Sequence, residues 1–378
     1  MPAIPPTPPF PTTGIMPREE TQSGQFVRAN PTYDGRFVTI GILDTGVDFS
    51  CAGLQTTTEG VRKLVDVIDC TGSGDVAITS TATLSAANTL TALSGKTLTL
   101  PPPATLNLHP SLIDTTTTPP TYTFSLGVKR AYELFPTKLA TRVAANNKEA
   151  RKESHNKNLQ TAHKALADYK PANGAKLTVV ETKTKQDLSD KIEALTKAYD
   201  GYEDPGMVMD VVVYKDVDGN YAALIPSADD ATGDYTTLLP MFEYRLKHQH
   251  KLLCAASMLN FAVSFTEDGK ICTITTDAGA HGSHVAGIAA GYFPDDESLN
   301  GVAGGAKIVS LKIGDSRLGS METGVGICRA MTEAVKRGCD VINMSYGEAA
   351  AAMNTGRFTE LANELVNKHN VSSAHSAF

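Results

Sequence analysis

Two rhythms of apolar and polar positions run along the chain, and each predicts a different kind of element. A continuous apolar run from Val38 stops at the tripeptide that begins with Asp44, which is typical of a buried strand ending in a turn. Residues 61–69 alternate between apolar and polar side chains and predict a second strand. From residue 279 onward, strand-like and helical segments follow one another. This order predicts βαβ units and a parallel sheet.

The middle of the chain has a different character. Residues 71–125 are rich in Thr, Ser, Ala and Pro and predict short strands with long loops. Residues 126–200 are helical in composition, and one of their helices has Asp187 or Ser189 as its predicted N-terminal cap. Residues 207–225 and 259–276 each carry a turn signal between apolar runs and predict β-hairpins.

These changes of character divide the chain into three parts. Residues 1–70 form a Pro-rich lead-in and the first part of an α/β domain, and residues 276–378 form its second part. Residues 71–275 are predicted to be a β/α insertion between the two. The expected fold class is therefore α/β, with helices on both faces of a parallel sheet that a large insertion interrupts.

Composition excludes some classes of function. The 378 residues are 41% hydrophobic and carry a net charge of −7, so a nucleic-acid partner is not expected, since phosphate contacts need a basic face. The chain has no apolar run long enough for a membrane span, and its start lacks the charged and apolar regions of a secretory signal. We therefore expect a cytoplasmic protein whose cysteines are buried and reduced. They are Cys51, Cys70, Cys254, Cys272, Cys328 and Cys339.

Two segments carry candidate chemistry. Asp44 ends a strand, where open α/β sheets place their ligands, although a structural aspartate in a turn fits the same pattern. His281 and His284 open a helix of small residues, and a histidine at a helix N-terminus is held near neutrality, as a general base requires. Alternatively, the two histidines are metal ligands, but no third ligand has an obvious place. For His284 we expect a structural role inside the core.

The combination of motifs is more specific than either piece. The strings ILDTGVD around Asp44, GAHGSHVAGIAAG around His281 and VINMSYG near residue 345 together resemble the subtilisin-like serine proteases. The resemblance implies that Asp44 orients His281, which takes a proton from a serine nucleophile. It also implies that Ser345, Tyr346 and Gly347 form the strand that pairs with the substrate backbone.

Further motifs resemble the tripeptidyl-peptidase II family within the subtilisin-like proteases. They are the segments FPTTGIMPREET, TGSGDV, LKIGDSRLGSMETG and SYGEA, together with the 237 residues that separate Asp44 from His281. The resemblance implies a cytoplasmic serine exopeptidase, an aminopeptidase-type hydrolase that releases tripeptides from the free N-termini of oligopeptides. It implies large homo-oligomers, whose formation by this chain we doubt, and no metal or organic cofactor.

The same resemblance assigns Glu322 and Glu348 to the free α-ammonium of the substrate. Two carboxylates beside one ammonium provide charge-assisted hydrogen bonds and block longer peptides. In the simpler interpretation, Glu322 caps or lines the first turn of its helix and Glu348 is a solvated loop charge.

The pattern departs from the family near the end of the sequence. The family continues with an oxyanion-hole Asn and a nucleophilic Ser, whereas here the segment VSSA is followed by HSAF. Ser372, Ser373 and Ser376 lie in a predicted tail without a turn and helix to orient a hydroxyl. We therefore expect a truncated, inactive chain. We also expect unpartnered apolar faces at Ile342, Met344, Leu361 and Leu365.

Three alternatives remain open. A peptide-binding or regulatory module would keep the groove and the acidic clamp without a nucleophile. An aspartic protease would use the D-T-G at Asp44, but it needs two such motifs, and the nearest second candidate, at Asp315, lacks the Gly. A dinucleotide-binding domain would need G-x-G-x-x-G after the first strand, where this chain has GILDTG.

Overall fold

The apolar run that ends at Asp44 forms the centre of a parallel sheet in the computed structural model, which describes residues 16–170, 177–254, 258–347 and 355–375. In this part of the chain, the helices α1 to α7 span Ser23–Ala29, Thr137–Asp168, Val179–Asp200, Tyr244–Lys247, His281–Ala290, Gly324–Lys336 and Arg357–His369. The strands β1 to β17 span Thr39–Asp44, Leu64–Asp69, Asp75–Ala77, Ser80–Thr83, Thr89–Thr91, Thr97–Thr99, Ile113–Asp114, Thr121–Arg130, Val208–Lys215, Tyr221–Leu224, Met241–Phe242, Lys251–Cys254, Leu259–Thr266, Ile271–Thr275, Lys307–Lys312, Val341–Met344 and Ser372–His375.

The central sheet is parallel throughout and has the strand order β17-β16-β1-β15-β2. Ile42 in β1 faces one side and packs with Ala286 and Ala290 of α5. Leu43 faces the other side and packs with residues of α6 and α7. Parallel sheets need such cover on both faces, because both faces carry apolar side chains. The predicted α/β class, with helices on both faces, is confirmed.

The middle of the chain contributes a two-stranded antiparallel sheet of β5 and β6 and most of two larger antiparallel sheets. One has the strand order β11-β10-β9-β8-β4, with β7 also paired to β8, and the other has the order β12-β13-β14-β3. The predicted hairpins are confirmed as β9–β10 and β13–β14. The second hairpin turns at Asp268, whose backbone adopts a left-handed φ of 53°.

Local predictions in the helical segment needed correction. Helix α3 begins before Asp187 and Ser189, so neither residue caps it. Its cap is Thr178, which accepts the Glu181 N–H, while the Glu181 carboxylate accepts the Thr178 N–H. This reciprocal capping box satisfies two backbone donors and defines the helix start. The helical composition expected from residue 126 is also wrong at its start, because strand β8 continues to Arg130.

The apolar residues expected to lack partners are in fact packed. Ile342, Met344 and Leu365 are buried, and Leu361 packs against the same cluster. The reason is that α7 covers this face of the sheet and that residues 372–375 form strand β17, parallel to β16, rather than a tail.

The described residues up to Thr137 and from Met207 onward make up one compact unit, and Lys138–Gly206 makes up a second unit of two long helices. The division into three parts at residues 70 and 275 stays a prediction. No helix of the described ranges is long and apolar enough to cross a lipid bilayer.

Candidate active site

The site begins at the carboxyl end of β1, where Asp44 is fully buried. Its Oδ1 accepts the Thr45 N–H at 2.7 Å, and the chain then turns at Gly46 with a φ of 103° that side chains disfavour. The carboxylate lies against the ring of His281, with Nδ1 at 2.8 Å from Oδ1 and 3.0 Å from Oδ2. The structure thus brings together two residues that are far apart in sequence.

Thr45 holds the start of helix α5 beside Asp44. Its hydroxyl oxygen accepts the Gly282 N–H at 2.9 Å and donates to the Gly279 carbonyl at 2.8 Å. A side chain on Gly282 would collide with the Gly46 carbonyl oxygen. Glycine at this position therefore allows the contact between turn and helix that places His281 over the carboxylate.

The contact with Asp44 sets the chemistry of the His281 ring. A carboxylate at Nδ1 requires a proton there, which leaves Nε2 as the hydrogen-bond acceptor of a neutral imidazole. The side chain is 55% exposed, so Nε2 is accessible to a reacting group. Within the described ranges, no serine hydroxyl lies within hydrogen-bonding distance of Nε2. Because Nε2 has a free lone pair and is exposed, the pair can accept a proton there and return it.

His284 does not have the predicted position. It lies on the exposed side of α5 rather than inside the core, because it is one helical turn further on, past the contact with the Asp44 turn. In the part of the chain that the structure describes, no three His, Cys, Asp or Glu side chains are grouped so that they could hold a metal ion.

The predicted substrate strand follows β16 directly. Ser345 is half-buried and accepts the Asn343 side-chain amide at 2.9 Å, and Gly347 is exposed. The Tyr346 ring stands edge-on to the His281 ring, with centroids 6.2 Å apart and an 80° angle. Burial, followed by the charges of Asp44 and Glu322, raises the pKa of Tyr346. This segment therefore lies beside the Asp44–His281 pair.

Glu322 is half-buried and lies one residue before the cap of α6. The cap is Thr323, whose hydroxyl accepts the Gly326 N–H at 3.0 Å, so the interpretation of Glu322 as the helix cap is wrong. Its charge is one of the causes of the raised pKa of Tyr346, and Glu322 follows Ser320, whose carbonyl accepts the Tyr346 hydroxyl, by two positions. Glu348 lies outside the described residues.

A buried ion pair next to Asp44 was not predicted from the sequence. In the sheet register, Lys312 lies between Asp44 and Asp69. Both side chains of the Lys312–Asp69 pair are fully buried, with Nζ at 3.5 Å from the carboxylate and at 3.2 and 3.1 Å from the hydroxyls of Ser73 and Ser316. The available signal was a charged residue ending each of three apolar strands.

A second group that the sequence did not predict is Asp277, two residues after the end of β14. Burial and the nearby charge of Asp48 raise the pKa of its carboxyl from 3.8 to about 6, although Lys312 acts in the opposite direction. Its Cα is 3.1 Å from the position of a Cβ on Gly46, so it lies under the turn that follows Asp44.

The aspartic-protease alternative does not fit these contacts. Asp44 pairs with an imidazole rather than with a second carboxylate, and the Asp315 carboxylate binds the Arg317 guanidinium. Shared protonation of two carboxylates is the basis of that chemistry.

Comparison with protein families gives the same assignment at the level of the whole chain. A model of the subtilase family, peptidase S8, matches residues 35–377. The resemblance to subtilisin-like proteases stated from the motifs is confirmed.

Individual relatives are more specific. Tripeptidyl-peptidase 2 of Arabidopsis thaliana is 37% identical over 366 residues, which are 96% of this chain and 26% of the relative. The Caenorhabditis elegans protein of the same name is 35% identical over 359 residues, 94% of this chain and 25% of the relative. A crystal structure of tripeptidyl peptidase 2 matches with a TM-score of 0.72 and 29% identity, over 93% of this chain and 27% of that one. The chain thus spans about a quarter of the length of these relatives.

Proposed function

The chain belongs to the subtilase family, and from this membership we propose that its Asp44–His281 pair performs the proton transfers of peptide-bond hydrolysis in a tripeptide-releasing serine exopeptidase. The observation that carries the proposal is the 2.8 Å contact between Nδ1 of His281 and the buried Asp44 carboxylate. Its relatives named tripeptidyl-peptidase 2 support the narrower activity.

The geometry fits the general-base step. Asp44 accepts a hydrogen bond from the Nδ1–H group and so keeps the lone pair of Nε2 directed away from the carboxylate. When Nε2 takes the proton of an attacking serine hydroxyl, the buried carboxylate stabilises the imidazolium that forms. The same Nε2 then returns the proton to the leaving amine. Asp44 needs no proton of its own in either step.

The substrate we propose is an oligopeptide with a free N-terminus. Its first residues would pair in extended form with Ser345, Tyr346 and Gly347 through main-chain hydrogen bonds. Three extended residues span about 10 Å at roughly 3.3 Å each. The Glu322 carboxylate, together with Glu348, would bind the α-ammonium and so limit the product to three residues.

We also propose that the 378 residues by themselves bind such peptides without hydrolysing them, because the proton transfers described above need a serine hydroxyl as the attacking group. The support is the absence of a serine hydroxyl at Nε2 of His281 among the described residues. A chain without an aligned nucleophile loses the covalent route. The cytoplasm is the compartment we propose, since Cys51, Cys70, Cys272, Cys328 and Cys339 are free thiols.

Peptide binding to the purified chain tests the substrate assignment. A labelled hexapeptide with a free amino terminus is compared with its N-acetylated form by fluorescence anisotropy. A charge-assisted hydrogen bond contributes about 1.5–3 kcal/mol, so we expect the free amine to bind about tenfold to a hundredfold more tightly. Glu322→Gln should abolish most of this preference. Glu360→Gln, an exposed glutamate at the start of α7, is the matched control.

Equal binding of the two peptides by the wild-type chain would contradict the exopeptidase assignment. Hydrolysis is followed separately with a tripeptide amide that carries a fluorescent leaving group. Release above the rate without protein, abolished by His281→Ala, would show that the chain is active and that the binding-only proposal is wrong.

A further inference from the structure

Ser320 has no role in the proposed proton transfers, yet its hydrogen bonds connect the parts of the site. Its φ of 71° is left-handed, a conformation that residues other than glycine adopt at a cost. Its carbonyl oxygen accepts the Tyr346 hydroxyl at 3.1 Å, and its own hydroxyl donates to the Ala278 carbonyl at 2.7 Å. One residue is thus tied to two segments that are distant in sequence.

Each partner of Ser320 belongs to a different part of the site. Tyr346 lies on the proposed substrate strand. Ala278 lies three residues before His281, and its N–H donates to the Thr45 carbonyl at 2.8 Å. Glu322, the proposed ammonium ligand, follows Ser320 by two residues. Single hydrogen bonds therefore link the Asp44 turn, the segment before His281 and the substrate strand through Ser320.

The segment around Ser320 is closed on itself, which makes it a firm link. The Ser320 N–H donates to the Asp315 carbonyl at 2.8 Å, and the Asp315 N–H donates to the Met321 carbonyl at 3.0 Å. A Cβ at Gly314 would lie 2.8 Å from the Tyr346 hydroxyl, so the phenol packs directly against this segment. Strained backbone that is held by several contacts is a recurrent feature of functional sites.

We propose that Ser320 is a positioning residue that fixes Glu322 relative to the Asp44–His281 pair, and that its hydroxyl thereby sets the selectivity for a free N-terminus. The proposal rests on the proposed function, because it concerns the same ammonium site. Ser320 itself touches neither the peptide nor the reacting atoms. Its hydrogen bonds fix the distance between Glu322 and His281, and this distance limits the released peptide to three residues.

Two substitutions separate the hydroxyl from the backbone. Ser320→Ala removes the bond to Ala278, and Ser320→Gly removes the same bond while easing the left-handed backbone. Ser227→Ala is the matched control, since Ser227 is also half-buried and also donates to a backbone carbonyl, that of Leu253 at 3.1 Å. Tyr346→Phe, with Tyr235→Phe as its control, tests the second bond, because the Tyr235 hydroxyl donates to the Asp210 carbonyl.

Two measurements on the 378-residue chain are read together. Amide hydrogen exchange over residues 314–323 should become at least tenfold faster in both Ser320 variants and in Tyr346→Phe, but not in the controls. The preference for the free-amine hexapeptide over its acetylated form should fall to less than threefold in the Ser320 variants, while affinity for the acetylated peptide stays within twofold.

The outcomes separate this proposal from the proposed function. The positioning role is overturned if Ser320→Gly keeps the full preference for the free amine. If only Ser320→Ala then loses this preference, backbone strain rather than the missing hydroxyl explains the loss. If the wild-type chain shows no preference, the proposed function fails. Hydrogen exchange then tests on its own whether Ser320 holds this segment in place. The proposal is overturned if residues 314–323 exchange at the wild-type rate in Ser320→Gly.

Discussion

Replacing Asp277 with asparagine tests the electrostatics under the Asp44 turn. Burial, and then the charge of Asp48, raises the pKa of Asp277 from 3.8 to about 6. A carboxyl whose pKa is higher in the folded chain than in the unfolded chain favours folding when it is protonated. That contribution is fully present below pH 3.8 and is lost as the pH rises to about 6.

The shift gives the size of the effect. About two pKa units at about 1.4 kcal/mol each correspond to at most ~3 kcal/mol of unfolding free energy. Asparagine has no charge to desolvate, so Asp277→Asn removes this loss. The variant should gain stability relative to wild type at pH 7.5, and the gain should be smaller at pH 4 by up to ~3 kcal/mol.

Urea unfolding at the two pH values, followed by circular dichroism, measures this difference directly. Asp234→Asn is the control, because Thr236 lowers the pKa of that exposed carboxyl. It should lose stability to a similar extent at pH 7.5 and at pH 4, because a lowered pKa keeps this carboxylate charged in the folded chain at both pH values. The electrostatic reasoning fails if the Asp277 variant differs from wild type by the same amount at both pH values.

Three further experiments test which contacts stabilise the site and its surroundings. Gly282→Ala should lower the free energy of unfolding by about 1–3 kcal/mol in urea titrations, because the added side chain would collide with the Gly46 carbonyl. Gly287→Ala in the same helix is the control; this position has open space around it, so the substitution should raise the free energy of unfolding by about 0.5–1 kcal/mol. Equal effects of the two substitutions would contradict the contact between Gly282 and the Asp44 turn. Lys312→Met should cost about 3–5 kcal/mol by leaving the buried charge of Asp69 unpaired, and adding Asp69→Asn should restore most of that stability in the same titration. Thr178→Ala should cost about 1 kcal/mol through the lost cap, visible as a lower thermal midpoint; an unchanged midpoint would show that the cap does not limit stability.

Local pattern was sufficient for the elements of the central sheet. The uninterrupted apolar run before Asp44 predicted a buried strand, and β1 ends at that residue. Helix α6 ends at Lys336, and Gly338 follows its C-terminal cap with a φ of 66°, a left-handed conformation that a residue without a side chain adopts freely. These features depend on neighbours in sequence, so the order of residues carries them.

The helix caps show where local reasoning failed. Asp187 and Ser189 are good capping residues, yet α3 starts earlier at Thr178 because Glu181 completes a reciprocal pair of hydrogen bonds. The segment after residue 371 was expected to be an unstructured tail. Pairing with β16 makes it a strand, and that pairing depends on a partner about 30 residues away.

The order of amino acids thus specified the parallel α/β architecture and, through short motifs, the residue types at the candidate site, because apolar periodicity and turn chemistry act over a few neighbouring positions. The partner of each buried charge came from the folded chain. Asp44 meets His281 across 237 residues, Lys312 lies between two aspartates in the sheet register, and Ser320 joins segments that no periodicity relates. Such contacts arise when β-strands and loops distant in sequence are packed side by side, where burial and charge change the chemistry of each group.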